Sequence, residues 1–107
     1  MSDAQRWLDA RPRPLPSPLR EAVRVAVERT SAGTDLPSRL AMAALDLLRS
    51  VARGPTDRRV ALDLLAADAL LTAACEAAAE RGPQDVARLV SELDLPRFAS
   101  VLAPDDS

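Results

Sequence analysis

The sequence predicts an all-α protein, a compact bundle of four to five helices around a long central Ala/Leu-rich helix, with a Pro-rich N-terminal arm. Three observations carry that expectation. Apolar residues recur at three- and four-residue steps through most of the chain. Glycine and proline fall where those runs stop, at Gly33, Gly54-Pro55 and Gly82-Pro83. One segment, residues 23–27, alternates β-branched residues as a strand would, but no second strand is available to pair with it.

Ser2 is placed to cap a short helix reaching about Ala10, with Asp3 in its first turn and Trp7 and Leu8 as its apolar residues. Pro12, Pro14, Pro16 and Pro18 then alternate, each removing a donor and biasing its predecessor to extended geometry. Their two-residue spacing does not match the PxxP pattern of a ligand for proline-recognition domains. A stiff spacer that lays Trp7 and Leu8 across the bundle is therefore the preferred reading.

Ser17 followed by Pro18 starts helix two, on which Leu19, Val23, Ala26 and Val27 keep helical spacing until Gly33. Asp35 begins helix three, with Pro37 in its first turn. Leu40, Ala44, Leu47 and Val51 form its apolar stripe, and Arg39, Asp46, Arg49 and Arg53 its polar side. Asp46 and Arg49 make an (i, i+3) pair worth a few tenths of a kcal/mol.

Thr56 is expected to cap helix four and Asp57 to favour its N-terminus, with Gly82-Pro83 ending it. A last helix from Pro83 to about Leu93 uses Val86, Leu89, Val90 and Leu93, and a turn from Pro96 brings Phe98, Val101 and Leu102 inward. The expected organisation is a short helix and Pro-rich arm over residues 1–18, a bundle over 19–103 and a loose tail over 104–107.

At 107 residues the chain can build one real core without disulfides or metal. It has no His, Lys, Tyr, Asn or Ile and a single Cys. Without His there is no Ser-His-Asp or Cys-His nucleophile and no His-ligated zinc or iron. Its 14 cationic residues, all Arg, are interleaved with 16 acids for a net charge of −2, which speaks against nucleic acid as a partner. The opening MSDAQRWLDARPRP has no apolar run and predicts neither a secretory signal nor a transit peptide, so the expected compartment is the cytoplasm. Residues 60–79 carry Asp63, Asp68 and Glu76, which argue for a buried helix and against membrane insertion.

Sixteen of the twenty residues from 60 to 79 are apolar, so helix four is expected to be covered nearly all round. Val60, Leu64, Ala67, Leu71, Ala74 and Ala78 draw a coiled-coil-like seam. A second face carries Leu62, Ala66, Ala69, Ala73 and Ala77. A chain this short leaves one face for a partner, and a homodimer through the seam is the expected arrangement. Asp68, Thr72, Glu76 and Glu80 step by four along one polar line. Such a line suits a divalent cation or a metal–diphosphate cluster, but a solvent-facing stripe is preferred because no other acidic cluster offers matching ligands. Asp63, on nearly the opposite side from Thr72, is expected to pair with Arg39 or Arg24. Cys75, among apolar neighbours in sequence, is read as a small buried hydrophobe.

The segment RGPTDRRVALDLLAADALLTAACEAAAE, residues 53–80, resembles the part of trans-polyprenyl diphosphate synthases where a Gly-x-Pro-Thr turn precedes a helix reading like A-x-L-A-G-D-A-L-L-T-x-A-F-E. Gly54, Pro55, Thr56, Asp68, Ala69, Leu70, Leu71, Thr72 and Glu76 stand at or near matching places. PLREAVRVAVE, residues 18–28, is similar to that family's early helix. The resemblance implies a helical scaffold that binds isoprenyl diphosphates through magnesium. The family's two aspartate-rich motifs are missing, however, since the only adjacent aspartates are Asp105 and Asp106. Its G-K-x-x-R-P diphosphate site is replaced by TSAGTDLPSRL, residues 30–40. Prenyl transfer by this chain alone is therefore not expected.

The expected function is that of a non-catalytic small helical interaction protein, self-associating or an accessory subunit of a larger assembly, with no cofactor and no metal. Its partner would be another protein or a second copy of itself. Trp7, Leu8 and Phe98 join the seam as interface candidates because large side chains dominate interface energetics. One rival is a reduced isoprenyl-diphosphate-binding domain using Asp68, Thr72 and Glu76 with Arg53, Arg58 or Arg59. A second is nucleic-acid binding through Arg11, Arg13, Arg20 and Arg24.

Overall fold

The computed structural model describes residues 3–11, 15–30, 35–54 and 57–93. Within them the chain forms α1 (Asp3–Asp9), α2 (Ser17–Arg29), α3 (Leu36–Arg53), α4 (Arg58–Arg81) and α5 (Pro83–Glu92), and no strand. The alternating residues 23–27 lie inside α2. The protein is thus the all-α bundle that the helical spacing and the Gly/Pro stops predicted.

The helix ends follow from local chemistry, with three differences from expectation. α2 starts one residue early, because the Pro16 carbonyl accepts the Arg20 N–H at 2.8 Å and draws Ser17 into the first turn. It closes at Thr30, ahead of Gly33, which lies outside the described residues together with Ser2 and the turn expected from Pro96. The buried Thr30 hydroxyl sits 3.0 Å from the Ala26 carbonyl and 3.1 Å from Asp46 Oδ2, so its one proton is shared between two acceptors and α2 is tied to α3. α4 is capped by Asp57, whose Oδ1 accepts the N–H groups of Arg59 at 2.9 Å and Val60 at 3.3 Å. One carboxylate thereby satisfies two orphan donors and sets negative charge at the helix N-terminus; Thr56 lies outside the described residues.

The remaining ends are as anticipated. Asp35 caps α3 by accepting the Ser38 N–H at 2.9 Å. Gly82 is the single residue between α4 and α5, and its φ of 128° is one that only glycine adopts without strain. The Asp46–Arg49 pair forms at 3.3 Å.

α3 and α4 share the most extensive contact, with α2 laid on α4 and α3, α5 on α4, and α1 on α3 and α2. The short link from Arg53 to Arg58 makes α3 and α4 antiparallel. Asp35 at the start of α3 accordingly meets Arg88 of α5 at 2.7 Å, just beyond the end of α4. The core is built mainly from alanine: Ala41, Ala43 and Ala44 of α3 face Ala66, Ala73, Ala74, Ala77 and Ala78 of α4, and Leu40, Leu70 and Val27 are its largest fully buried side chains. Small side chains at the contact bring helix axes toward the lower end of the about 8–10 Å range.

α4 is not covered all round. Its buried residues run from Ala66 to Ala78, and none of residues 58–65 is buried. The 24 residues of α4 extend about 36 Å, whereas α2 with 13 and α5 with 10 reach only about 20 and 15 Å. Ala66, Ala67, Ala73, Ala74, Ala77 and Ala78 are buried, whereas Ala61, Leu64, Leu65, Cys75 and Ala79 are the apolar residues of α4 left exposed.

Candidate functional site

The polar line of α4 meets the N-terminal arm. Trp7 Nε1 donates to Glu80 Oε1 at 3.1 Å, and Arg11 Nη1 donates to Glu80 Oε2 at 2.9 Å. Arg11 Nη2 also pairs with Glu76 Oε2. The Arg11 guanidinium lies 4.3 Å from the centroid of the Trp7 ring, within cation–π range. The Trp7 indole N–H first, and the Arg11 guanidinium second, hold the Glu80 carboxyl below its ordinary value. Two of the four stripe residues, Glu76 and Glu80, thus clasp the chain's own arm.

Beside the clasp a cleft of about 750 Å³ opens between α1, the start of α2 and α4. Leu8, Leu15, Val23 and Ala73 supply apolar lining, while Asp68, Thr72 and Glu76 form the α4 wall. Gln5, itself buried, donates through Nε2 to the Arg24 carbonyl at 3.2 Å and fixes α1 on α2.

The seam expected to meet a partner divides in the structure. Ala67, Ala74 and Ala78 are buried in the chain's own core, because α4 turns its alanines toward the helices packed on it. Val60 and Leu71 are half-buried, and Leu64 is exposed. Trp7 and Leu8 are half-buried against the core, and Phe98 lies outside the described residues. Cys75 is exposed, contrary to expectation: its apolar neighbours in sequence point to other sides of the helix.

The outward side of the N-terminal half of α4 is a stripe that the seam missed by one helical step. Arg58, Ala61, Leu65 and Asp68 follow at intervals of three, four and three, and all four are exposed. Leu65 is 57% exposed and the adjoining Leu64 45%. Val86 and Val90 are exposed on α5.

The rival constellations are assembled only in part: Asp68, Thr72 and Glu76 share the cleft wall, but Arg53, Arg58 and Arg59, expected with them, do not line it. Arg59 stands about 13 Å along α4 from Asp68 and about 25 Å from Glu76, so α4 spreads those groups along its length. Among the described residues no group of three His, Cys, Asp or Glu side chains is placed to hold a metal ion. Of the arginines considered for nucleic acid, Arg11 is held by Glu76 and Glu80, Arg24 by Glu21 and Glu28, and Arg20 donates to the Leu15 carbonyl at 3.2 Å. Arg13 lies outside the described residues. Among the described residues Asp63 forms no ion pair with Arg39 or Arg24, and the buried Nε of Arg39 has no partner. No helix among them is long and apolar enough to cross a membrane.

Arg11 is the residue that sequence reasoning did not single out for the clasp. Its partners lie 65 and 69 residues away, and no local spacing announces them. No family model, curated protein or solved structure matches this chain.

Proposed function

We propose that this chain is a non-catalytic helical interaction protein that docks another helix on the outward face of the N-terminal half of α4. The observation that carries the reading is the pair Leu64 and Leu65, exposed side by side on a helical segment in which no residue is buried. Fully burying a wholly exposed leucine side chain stabilises by about 1.5–3 kcal/mol, and with about half of each still exposed, covering both contributes roughly 1.5–3 kcal/mol in total to association. Trp7 is engaged inside the chain by Glu80, which leaves α4 as the better-placed surface. Two of the four groups on the polar line, Glu76 and Glu80, grip the chain's own arm.

Photo-crosslinking in cells tests the reading. With benzoylphenylalanine at position 64, the expected result is a discrete covalent adduct, absent when the same group stands at the exposed position 84 of α5. No adduct from position 64, or equal labelling from both, refutes it.

A further inference from the structure

The stripe on α4 reads the same way from both ends once charge and size are paired. Arg58 and Asp68 are equidistant from position 63, and so are Ala61 and Leu65. All four are exposed on one side of the helix. We infer that the partner of this face is a second copy of the chain, its α4 antiparallel to the first and related to it by a two-fold axis at the level of residue 63. The inference rests on the reading of this face as a docking surface.

In that register Arg58 of each copy meets Asp68 of the other, and Ala61 of each receives Leu65 of the other. The same patch therefore serves both sides, as an isologous interface requires. Charge complementarity is built in twice, at the two ends of the contact. The small–large pairing at its centre lets the helices approach as ridges into grooves. Leu64 and Leu62, equidistant from the same level, flank the centre on the two sides of the stripe.

Asp63 does not oppose this pairing. It stands five residues after Arg58 and five before Asp68, which at 100° per residue turns it to the far side of the helix, away from the axis. Arg58 and Asp68 do not satisfy each other within one chain, because about 15 Å of helix separates them. Among the described residues neither is in an ion pair. Arg58 also stands in the first turn of α4, where the helix dipole disfavours a cation. The Asp57 carboxylate at the cap already offsets part of that placement, and an acidic partner from a second copy adds to it.

Charge reversal decides the register. Sedimentation equilibrium is measured on the full chain, on Arg58→Asp, on Asp68→Arg and on the two variants mixed one to one, after circular dichroism has shown each to be helical. The expected result is a dimer for the wild type and dissociation constants about tenfold or more higher for either variant alone, because each reversal acts at both ends of the contact. The mixture should recover wild-type affinity as a heterodimer. The aspartate introduced in one variant then meets the arginine introduced in the other, and at the opposite end of the contact the retained Arg58 meets the retained Asp68.

A wild type that stays monomeric to millimolar concentration overturns the second copy as occupant. The crosslinking at position 64 then still stands or falls by itself. A wild-type dimer that ignores both reversals, or variants whose mixture does not recover, overturns the antiparallel register.

Discussion

Replacing Ala74 by glutamate separates an inward from an outward reading of the alanines on α4. On an outward seam the substitution would leave folding intact and break a dimer. In the structure Ala74 is 0% exposed, packed within the core. Glutamate there overfills a close-packed site, at about 1–3 kcal/mol. It also removes a carboxylate from water without a partner, at several kcal/mol more. A total of at least about 4 kcal/mol is a large part of the roughly 5–15 kcal/mol that stabilises a domain of this size. At about 4–8 °C per kcal/mol, the melting temperature should fall by about 15 °C or more. Leu65→Glu is the contrasting case: the side chain is already 57% exposed, so less than half of its burial is lost, about 1 kcal/mol. Thermal melts followed by far-UV circular dichroism, paired with sedimentation at room temperature, distinguish the two. Ala74→Glu is expected to melt early or fail to fold, and Leu65→Glu to stay folded and lose association. An Ala74→Glu protein that melts within a few degrees of wild type and is merely dissociated would refute the reasoning.

Two further outcomes follow from helix capping and from the clasp. Asp57→Ala strips two N–H groups of their acceptor and should cost about 1 kcal/mol, read as a lower melting temperature that Asn at the same place largely restores. Because the folded-state carboxyl of Glu80 is lowered from its ordinary 4.5, the clasp is fully present above that value and is lost as pH falls through the lowered one. The emission of Trp7, the only tryptophan, should therefore change with a midpoint below 4.5, and Glu80→Gln should remove that transition; a midpoint at or above 4.5 contradicts the assignment.

Much of the fold was legible in the sequence because its signals are local. Asp35 and Gly82 mark ends that depend on one or two side chains, and the (i, i+3) pair Asp46–Arg49 is set by helix geometry alone. The phase of α4 was not legible in the same way. A helix with sixteen apolar residues in twenty has no strong polar side to orient it, and alanine tolerates either environment. The seam through Leu64 and Leu71 therefore looked as good as the face through Ala66, Leu70 and Ala77 that is buried. Cys75 was misplaced for the same reason. Asp68, Thr72, Glu76 and Glu80 were legible as one line because four-residue steps need no tertiary information. That the arm occupies two of them was not, since the contacts span the length of the bundle's sequence.

The span from Trp7 to Glu80 is 73 residues. During synthesis at about 5–20 residues per second, roughly 4–15 s pass between the emergence of the indole and that of its acceptor. α1 has seven residues, too few to hold a helix unaided in water. For that interval Trp7 and Leu8 are apolar surface in search of a site, and a chaperone that samples the nascent chain would meet them there. The arm accordingly sets only once α4 is complete. Lesions near the end of α4 should then first show themselves as proteolytic sensitivity at the other end of the chain.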